Sequence, residues 1–420
     1  MTTLAILVGR VARAVLRRRG GGSAVPGRLV LGMSPRFLVR AVERMPLGVV
    51  FVSGSNGKST TTHMLTGILR AHGLRVFTNP SGANLPQGIA SAMLATVPLN
   101  GRLTEDVAVL EVDEAFGPRL AETLAPHSVL LVNIQVDQLN RFYEPARVAE
   151  MLEQFAGVAT RHLVINADDH NLVDLADRLT DRQAQQSAFA TAPSLLSEGP
   201  AWLASGDNTR LAVAPSTIPA SVVVESLDGR FAELSIRGAL TQVALPARGL
   251  HYAVDAAAAT AMAAALLGDD LDVASVARGL GNIKAVYGRG EILSVNGEDI
   301  EIMTMKNPPS LQVNLDYLDR YPEQVFVAVD EGTPDPSWIY GSDLSRLDHV
   351  DVLTGTKAWQ LATRFAYSEI PVHTIEPELK AALEAFLRLP RPSRGMKTMI
   401  VNYEQMMLVR KALGYLEIEK

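Results

Sequence analysis

The sequence predicts an α/β protein: a central parallel-sheet domain that carries a phosphate loop, a small β-rich insert, and a second α/β domain at the C-terminal end. Three observations lead there. Short apolar runs such as Gly48–Ser53, Val107–Val112 and Ser128–Asn133 are unbroken, not alternating, which is the pattern of strands covered on both faces. Helix-length segments separate them. The polar residues that punctuate the pattern fall just after the runs, at the carboxyl ends of the strands, where function gathers in such sheets.

The chain has 420 residues, with 47% hydrophobic and 20% charged residues, ordinary for a globular protein with a sizeable core. Its net charge of −6 gives no reason to expect a nucleic-acid partner. It contains no cysteine, which excludes disulfides, thiolate catalysis and cysteine-ligated zinc and fits a reducing, cytoplasmic compartment.

Taken in order, residues 1–40 form a basic amphipathic segment. Leu4–Leu16 is apolar with Arg10 and Arg13 inside it, and Arg17, Arg18 and Arg19 follow before three glycines. The charge comes after the apolar stretch, opposite to a secretory signal, and the stretch is shorter than the ~20 residues a span requires. Two readings stand: a helix packed on its own domain, or a basic helix resting on the inner, anionic face of a membrane. Residues 41–290 form the central domain. Its strands are Gly48–Ser53, Arg75–Thr78, Val107–Val112, Ser128–Asn133 and Arg161–Asn166, with a helix over Ser59–His72 after the first. Residues 190–248 turn rich in Ser, Pro, Gly and Thr with short β-like runs, read as a small antiparallel insert. Ala253–Leu267 is an alanine-rich helix, a hinge falls near Gly281–Gly290, and residues 291–420 hold a last α/β unit with strands at Val325–Val329, Val350–Leu353 and Thr398–Val401.

The strongest motif is Gly54-Ser55-Asn56-Gly57-Lys58-Ser59-Thr60, at the end of the first strand and the start of a helix. Glycines let backbone N–H groups curl towards phosphate oxygens, and the helix N-terminus adds partial positive charge. Lys58 would neutralise the β- and γ-phosphates, and Ser59 would place its hydroxyl on Mg²⁺. The loop is a short form of the usual spacing, since Val52 stands where the longer form has glycine. Glu111 and Asp113 end a strand on one face, roughly 6.5 Å apart by strand geometry, and an acid there suits Mg²⁺ opposite the loop; the bland alternative for Asp113 and Glu114 is a solvated acidic turn. Asn133–Arg141 and Asn166-Ala167-Asp168-Asp169 supply further polar groups at strand ends, each open to a plain capping role.

Together with Tyr287-Gly288-Arg289-Gly290-Glu291, these motifs and their order resemble the Mur ligase superfamily over most of residues 45–420. Within it the chain looks most like the MurT-like branch: Gln138 follows Asp137 where amino-acid-adding members usually have His, and Lys306-Asn307-Pro308, Asp335–Trp338 and Asn402-Tyr403 are similar to that branch's C-terminal domain. The resemblance implies a Mur-ligase-like fold with a Rossmann-like C-terminal domain. It implies ATP-dependent amidation of the D-isoglutamate α-carboxylate of the lipid II stem peptide, through an acyl phosphate, with ammonia from a GatD-type class I glutamine amidotransferase. It places ATP on Gly54, Asn56, Gly57, Lys58, Ser59, Thr60, Asp255 and Arg289, Mg²⁺ on Ser59 and Glu111, and catalytic work on Lys58, Glu111 and Asp335. Asp335 would support the glutaminase site, with Asp343 as the alternative. Two departures stand out: the insert lacks the four cysteines of a zinc ribbon, so no zinc is expected, and Asp255 occupies a position usually held by Asn. A stand-alone amino-acid ligase of the Mur or folylpolyglutamate type and a non-catalytic scaffold for a glutaminase are the competing readings.

Overall fold

The computed structural model describes residues 2–18, 24–79, 83, 85–135, 145–198, 218–283, 289–306, 308–316, 318, 321–330 and 336–415. They form two compact units, the first built mainly of residues up to Ile283 and the second mainly of those that follow.

In the first unit, β1 (Gly48–Ser53), β2 (Val76–Thr78), β3 (Val107–Glu111), β4 (Ser128–Leu131), β5 (His162–Asn166), β6 (Gln185–Thr191), β7 (Ala220–Asp228), β8 (Phe231–Ile236) and β9 (Ala239–Ala244) make one sheet of order β2-β3-β1-β4-β5-β6-β7-β8-β9. Pairing is parallel from β2 to β7 and antiparallel across β7-β8-β9. Of the stretch read as a small antiparallel insert, 190–248, the described strands β7, β8 and β9 pair antiparallel with one another and continue the main sheet, because β7 pairs in parallel with β6. Sequence reasoning missed β6: its Gln185-Gln186-Ser187 start offers no apolar run. Burial alternates along β7 and β8, the mark of strands with one covered face.

The helices are α1 (Thr2–Arg18), α2 (Val25–Met33), α3 (Phe37–Val42), α4 (Lys58–Ala71), α5 (Pro86–Thr96), α6 (Gly117–Leu124), α7 (Pro145–Ala156), α8 (His170–Arg178), α9 (Pro193–Glu198), α10 (Leu250–Leu267) and α11 (Val273–Gly281). Val49 and Phe51 of β1 enter a core with Ile6, Phe37, Leu94, Leu110, Leu131 and Phe155. Val50 and Val52 point to the opposite face, as the two-residue period requires, and are fully buried there; α4 and α10 cover that side of the sheet. Among the described residues, only the segment Leu250–Asp270 is long and apolar enough to cross a membrane. Most of it is buried inside the protein, with Ala256 to Ala259 fully so. Alanine suits that place because small side chains let α10 lie close against its neighbours.

The topology singles out β1. From β1 the chain goes to the edge strand β2, comes back to β3 beside β1, then crosses to place β4 on the other side. The carboxyl end of β1, flanked by the ends of β3 and β4, is the switch point where such sheets open a crevice.

In the second unit, β10 (Arg289–Val295), β11 (Glu298–Thr304), β12 (Val325–Ala328), β13 (Val350–Thr354), β14 (Val372–Ile375) and β15 (Lys397–Val401) follow the order β10-β11-β15-β12-β13-β14, parallel except for the β10-β11 hairpin. With α12 (Pro308–Asp316), α13 (Ala358–Tyr367), α14 (Leu379–Leu387) and α15 (Tyr403–Ala412) they enclose two apolar clusters. The Arg410 guanidinium, nearly buried, pairs with Glu291 and ties α15 to the hairpin. Asn402 caps α15 by accepting from Gln405 N at 3.2 Å.

Candidate phosphate-binding site

The loop after β1 needs its glycines. Gly54 has φ +138°, and a Cβ there would lie 2.9 Å from the Asn133 backbone. Gly57 has φ +81°, and a Cβ would lie 2.3 Å from Asp255 Oδ1. Both positions therefore exclude other residues, by backbone conformation and by space.

Two residues after β4 hold the loop open. Ser55 N donates to Asn133 O at 3.0 Å, Asn56 N to Asn133 Oδ1 at 2.9 Å, and Asn133 Nδ2 back to Asn56 O at 3.1 Å. Gln135 receives Asn56 Nδ2 on its side chain at 2.7 Å and exchanges hydrogen bonds with the Ser55 hydroxyl through its backbone. Asn133 and Gln135 thus shape the loop.

Lys58 opens α4 and bonds to the carbonyls of Gly54 and Ser55 and, at 2.6 Å, to the carboxylate of Glu114. Glu111, Asp113 and Glu114 are all buried, so the acidic turn after β3 is not a solvated one. Ser59 Oγ donates to Glu111 Oε2 at 2.7 Å. Asn79, just past β2, clamps the Glu111 backbone from both sides: Glu111 N donates to Asn79 Oδ1 at 2.9 Å, and Asn79 Nδ2 donates to Glu111 O at 3.0 Å. The hydroxyl from the first turn of α4 and the carboxylate at the end of β3, 2.7 Å apart and the latter braced from behind, are hard oxygen donors that fit Mg²⁺. No cluster of three His, Cys, Asp or Glu that could hold a metal occurs among the described residues.

The turn after β5 is spent differently. Asp169 accepts from Ile134 N at 2.6 Å and caps α8 through Asn171 N and Leu172 N. Burial pushes its carboxyl up to about 7, against these donors, which pull it down. Asp168 accepts from Thr191 N at 2.8 Å, and burial pushes it up to about 6. Both tie the sheet together.

Asp255, on α10, is buried and accepts from the Thr61 hydroxyl at 3.1 Å, directly behind Gly57. Thr60 is fully buried one turn into α4. The structure thus brings Gly54, Asn56, Gly57, Lys58, Ser59, Thr60, Glu111 and Asp255 together. Asp335, Asp137, Gln138 and Arg141 lie outside the described residues, as does the side chain of Arg289, whose backbone starts β10. Asp343 accepts from Ser345 N at 2.9 Å in a turn of the second unit. Sequence reasoning missed Asn79 and Thr61, and of the two readings open for Glu114 the solvated turn does not hold, since Glu114 is buried. The signal for Asn79 was present: it too follows a strand end.

A glycine loop at the switch point of a parallel sheet, with a lysine and a hydroxyl opening the next helix, defines a nucleoside-triphosphate-binding enzyme domain. Residues 52–263 match the Mur ligase middle domain, and the chain belongs to the Mur ligase family. It is 26% identical, over 89% of its own length and 88% of the relative's, to the MurT subunit of the glutamine-hydrolysing lipid II isoglutaminyl synthase of Streptococcus pneumoniae. The fold is similar to that of MurF from Acinetobacter baumannii (TM-score 0.68, 19% identity, 91% of this chain and 80% of that one). It is also similar to Mycobacterium tuberculosis folylpolyglutamate synthase in complexes with ADP and AMPPCP (TM-score 0.65, 17% identity, 93% and 94%).

Proposed function

We propose that the chain is the ATP-dependent amidating subunit of a lipid II isoglutaminyl synthase, acting on the D-isoglutamate α-carboxylate of the stem peptide and using ammonia released by a GatD-type glutaminase. The observation that carries it is the loop Gly54–Ser59 with its Ser59–Glu111 pair, in a chain similar along nearly its whole length to a MurT subunit. A carboxylate is unreactive towards ammonia because its leaving group is poor. Transfer of the γ-phosphoryl group from ATP to a carboxylate oxygen releases ADP and makes an acyl phosphate. Ammonia adds to the carbonyl carbon, inorganic phosphate leaves, and a proton is lost to solvent, giving the amide.

Loop N–H groups and the α4 N-terminus would hold the phosphates. Lys58, released from Glu114, would balance charge on the transferring group. Ser59 and Glu111 would hold Mg²⁺, which would supply neutralisation of phosphate charge when bound. Asp255 braces Thr61 behind the loop and serves the nucleotide site from there. Arg289 is assigned to the nucleotide and Asp335 to the glutaminase site. With no cysteine, the chain offers no thiol for glutamine hydrolysis, which agrees with the nitrogen coming from a partner. The work belongs in the cytoplasm, at the inner face of the membrane where a lipid-carried substrate lies.

The test is reconstitution with the glutaminase, ATP, Mg²⁺, glutamine and lipid II, read by mass spectrometry. A loss of about one mass unit on the stem peptide, from acid to amide, is expected. ATP consumption with an amino acid as acceptor and no need of ammonia would overturn the proposal.

A further inference from the structure

The N-terminal helices carry a surface that the proposed reaction does not use. Leu4, Leu7, Val8, Val11 and Val15 of α1 are all exposed, Leu4 and Val11 by 60% and 64%. At 100° per residue they fall within one stripe about 100° wide. The opposite side of α1 is already occupied: Ala5 and Ile6 are fully buried, Gly9 sits against Val30 of α2 and Leu94 of α5, and Arg10 donates to Leu94 O at 3.1 Å. The exposed aliphatics are therefore not core residues awaiting a place. On α2, packed beside α1, Val25, Leu29 and Met33 recur every four residues and are likewise exposed.

Charge identifies what this face meets. Residues 1–42 hold no aspartate or glutamate and eight arginines, of which Arg10 is turned inward onto the carbonyls of Leu94 and Val97, in a chain whose net charge is −6. An aliphatic stripe inside a purely cationic segment matches a bilayer whose headgroups are anionic and whose acyl region is apolar. A protein partner would need acids facing the arginines and a preformed apolar socket.

We infer that α1 and α2 form a docking face for anionic phospholipid membrane, with the Leu4–Val15 stripe entering the headgroup boundary. This rests on the reading of a lipid-carried substrate and deepens it: residence on the bilayer confines enzyme and substrate to the same surface.

The full chain is sedimented with phosphatidylcholine vesicles, with and without phosphatidylglycerol, alongside L7D/V11D. Both changes lie on exposed positions, so the fold should hold, and unchanged circular dichroism and nucleotide binding check that. The wild type should partition onto phosphatidylglycerol vesicles, less so at high salt, and the variant should bind at least about tenfold more weakly. No binding to phosphatidylglycerol vesicles, or equal binding by the variant, overturns the inference. So does a dimer, or a glutaminase complex, that the variant dissolves, since the face then belongs to a protein. Nucleotide binding in each sample reports separately on the proposed activity.

Discussion

Two acidic turns at neighbouring strand ends share a sequence character and have opposite employment. After β3, Glu111 and Glu114 meet a hydroxyl and an ammonium of the phosphate loop. After β5, Asp168 and Asp169 meet backbone N–H groups of their own sheet and helix. Acids engaged by movable side chains can exchange those partners for phosphate and metal. Acids engaged by fixed backbone groups cannot leave without breaking the fold. Residue type decides neither role; the kind of partner does.

The sharpest way to break this contrast is Lys58→Ala, expected to lower amidation by about 10³-fold or more and to abolish nucleotide uptake in calorimetry, with the fold retained by circular dichroism. Glu111→Gln should cost roughly 10²-fold in rate and demand more Mg²⁺ for its residual turnover, again with the fold intact. A rate unchanged by either would place the chemistry elsewhere.

The β5 turn should behave in the reverse manner. Asp169→Ala is expected to lower unfolding free energy by about 1–3 kcal/mol, measured by urea titration, while nucleotide affinity changes little. Asp169→Asn isolates its titration. Burial holds this carboxyl near 7 in the folded chain against an ordinary value of 3.8, so the folded state keeps a proton that the unfolded state has lost. The group's contribution is complete below pH ~4 and fades as pH rises to ~7. The Asn variant should lack that decline, visible in urea midpoints at pH 5 and 7.5; parallel profiles would show that Asp169 is ionised throughout. The smallest effect belongs to Glu114→Gln, which frees Lys58 and removes a negative charge beside it. Nucleotide should bind more tightly, by a factor below ten.

Much of this was legible in the chain. Unbroken apolar runs located β1, β3, β4 and β5, because strands buried on both faces have no polar side to interrupt them. The loop was legible because glycine spacing, lysine and hydroxyl are all local. What could not be read were the long-range engagements. Nothing near Glu114 announces that Lys58 lies beside it, and nothing near Asp169 announces that Ile134 N points at its oxygen. β6 was hidden because its buried apolar residues, Ala188 and Phe189, are few and follow the polar start Gln185-Gln186-Ser187. Asp255 was assigned by resemblance to the nucleotide; its place behind Gly57 is a packing fact that only the assembled sheet reveals.

That packing has an evolutionary consequence. Gly57 and Asp255 stand 198 positions apart in the chain, yet a Cβ at the first would collide with the carboxylate of the second. Drift at either site is therefore conditional on the other, and the left-handed backbone at Gly57 closes most of the routes that a smaller neighbour would open. Lineages descending from this chain should keep the glycine invariant and confine variation at 255 to residues no bulkier than aspartate.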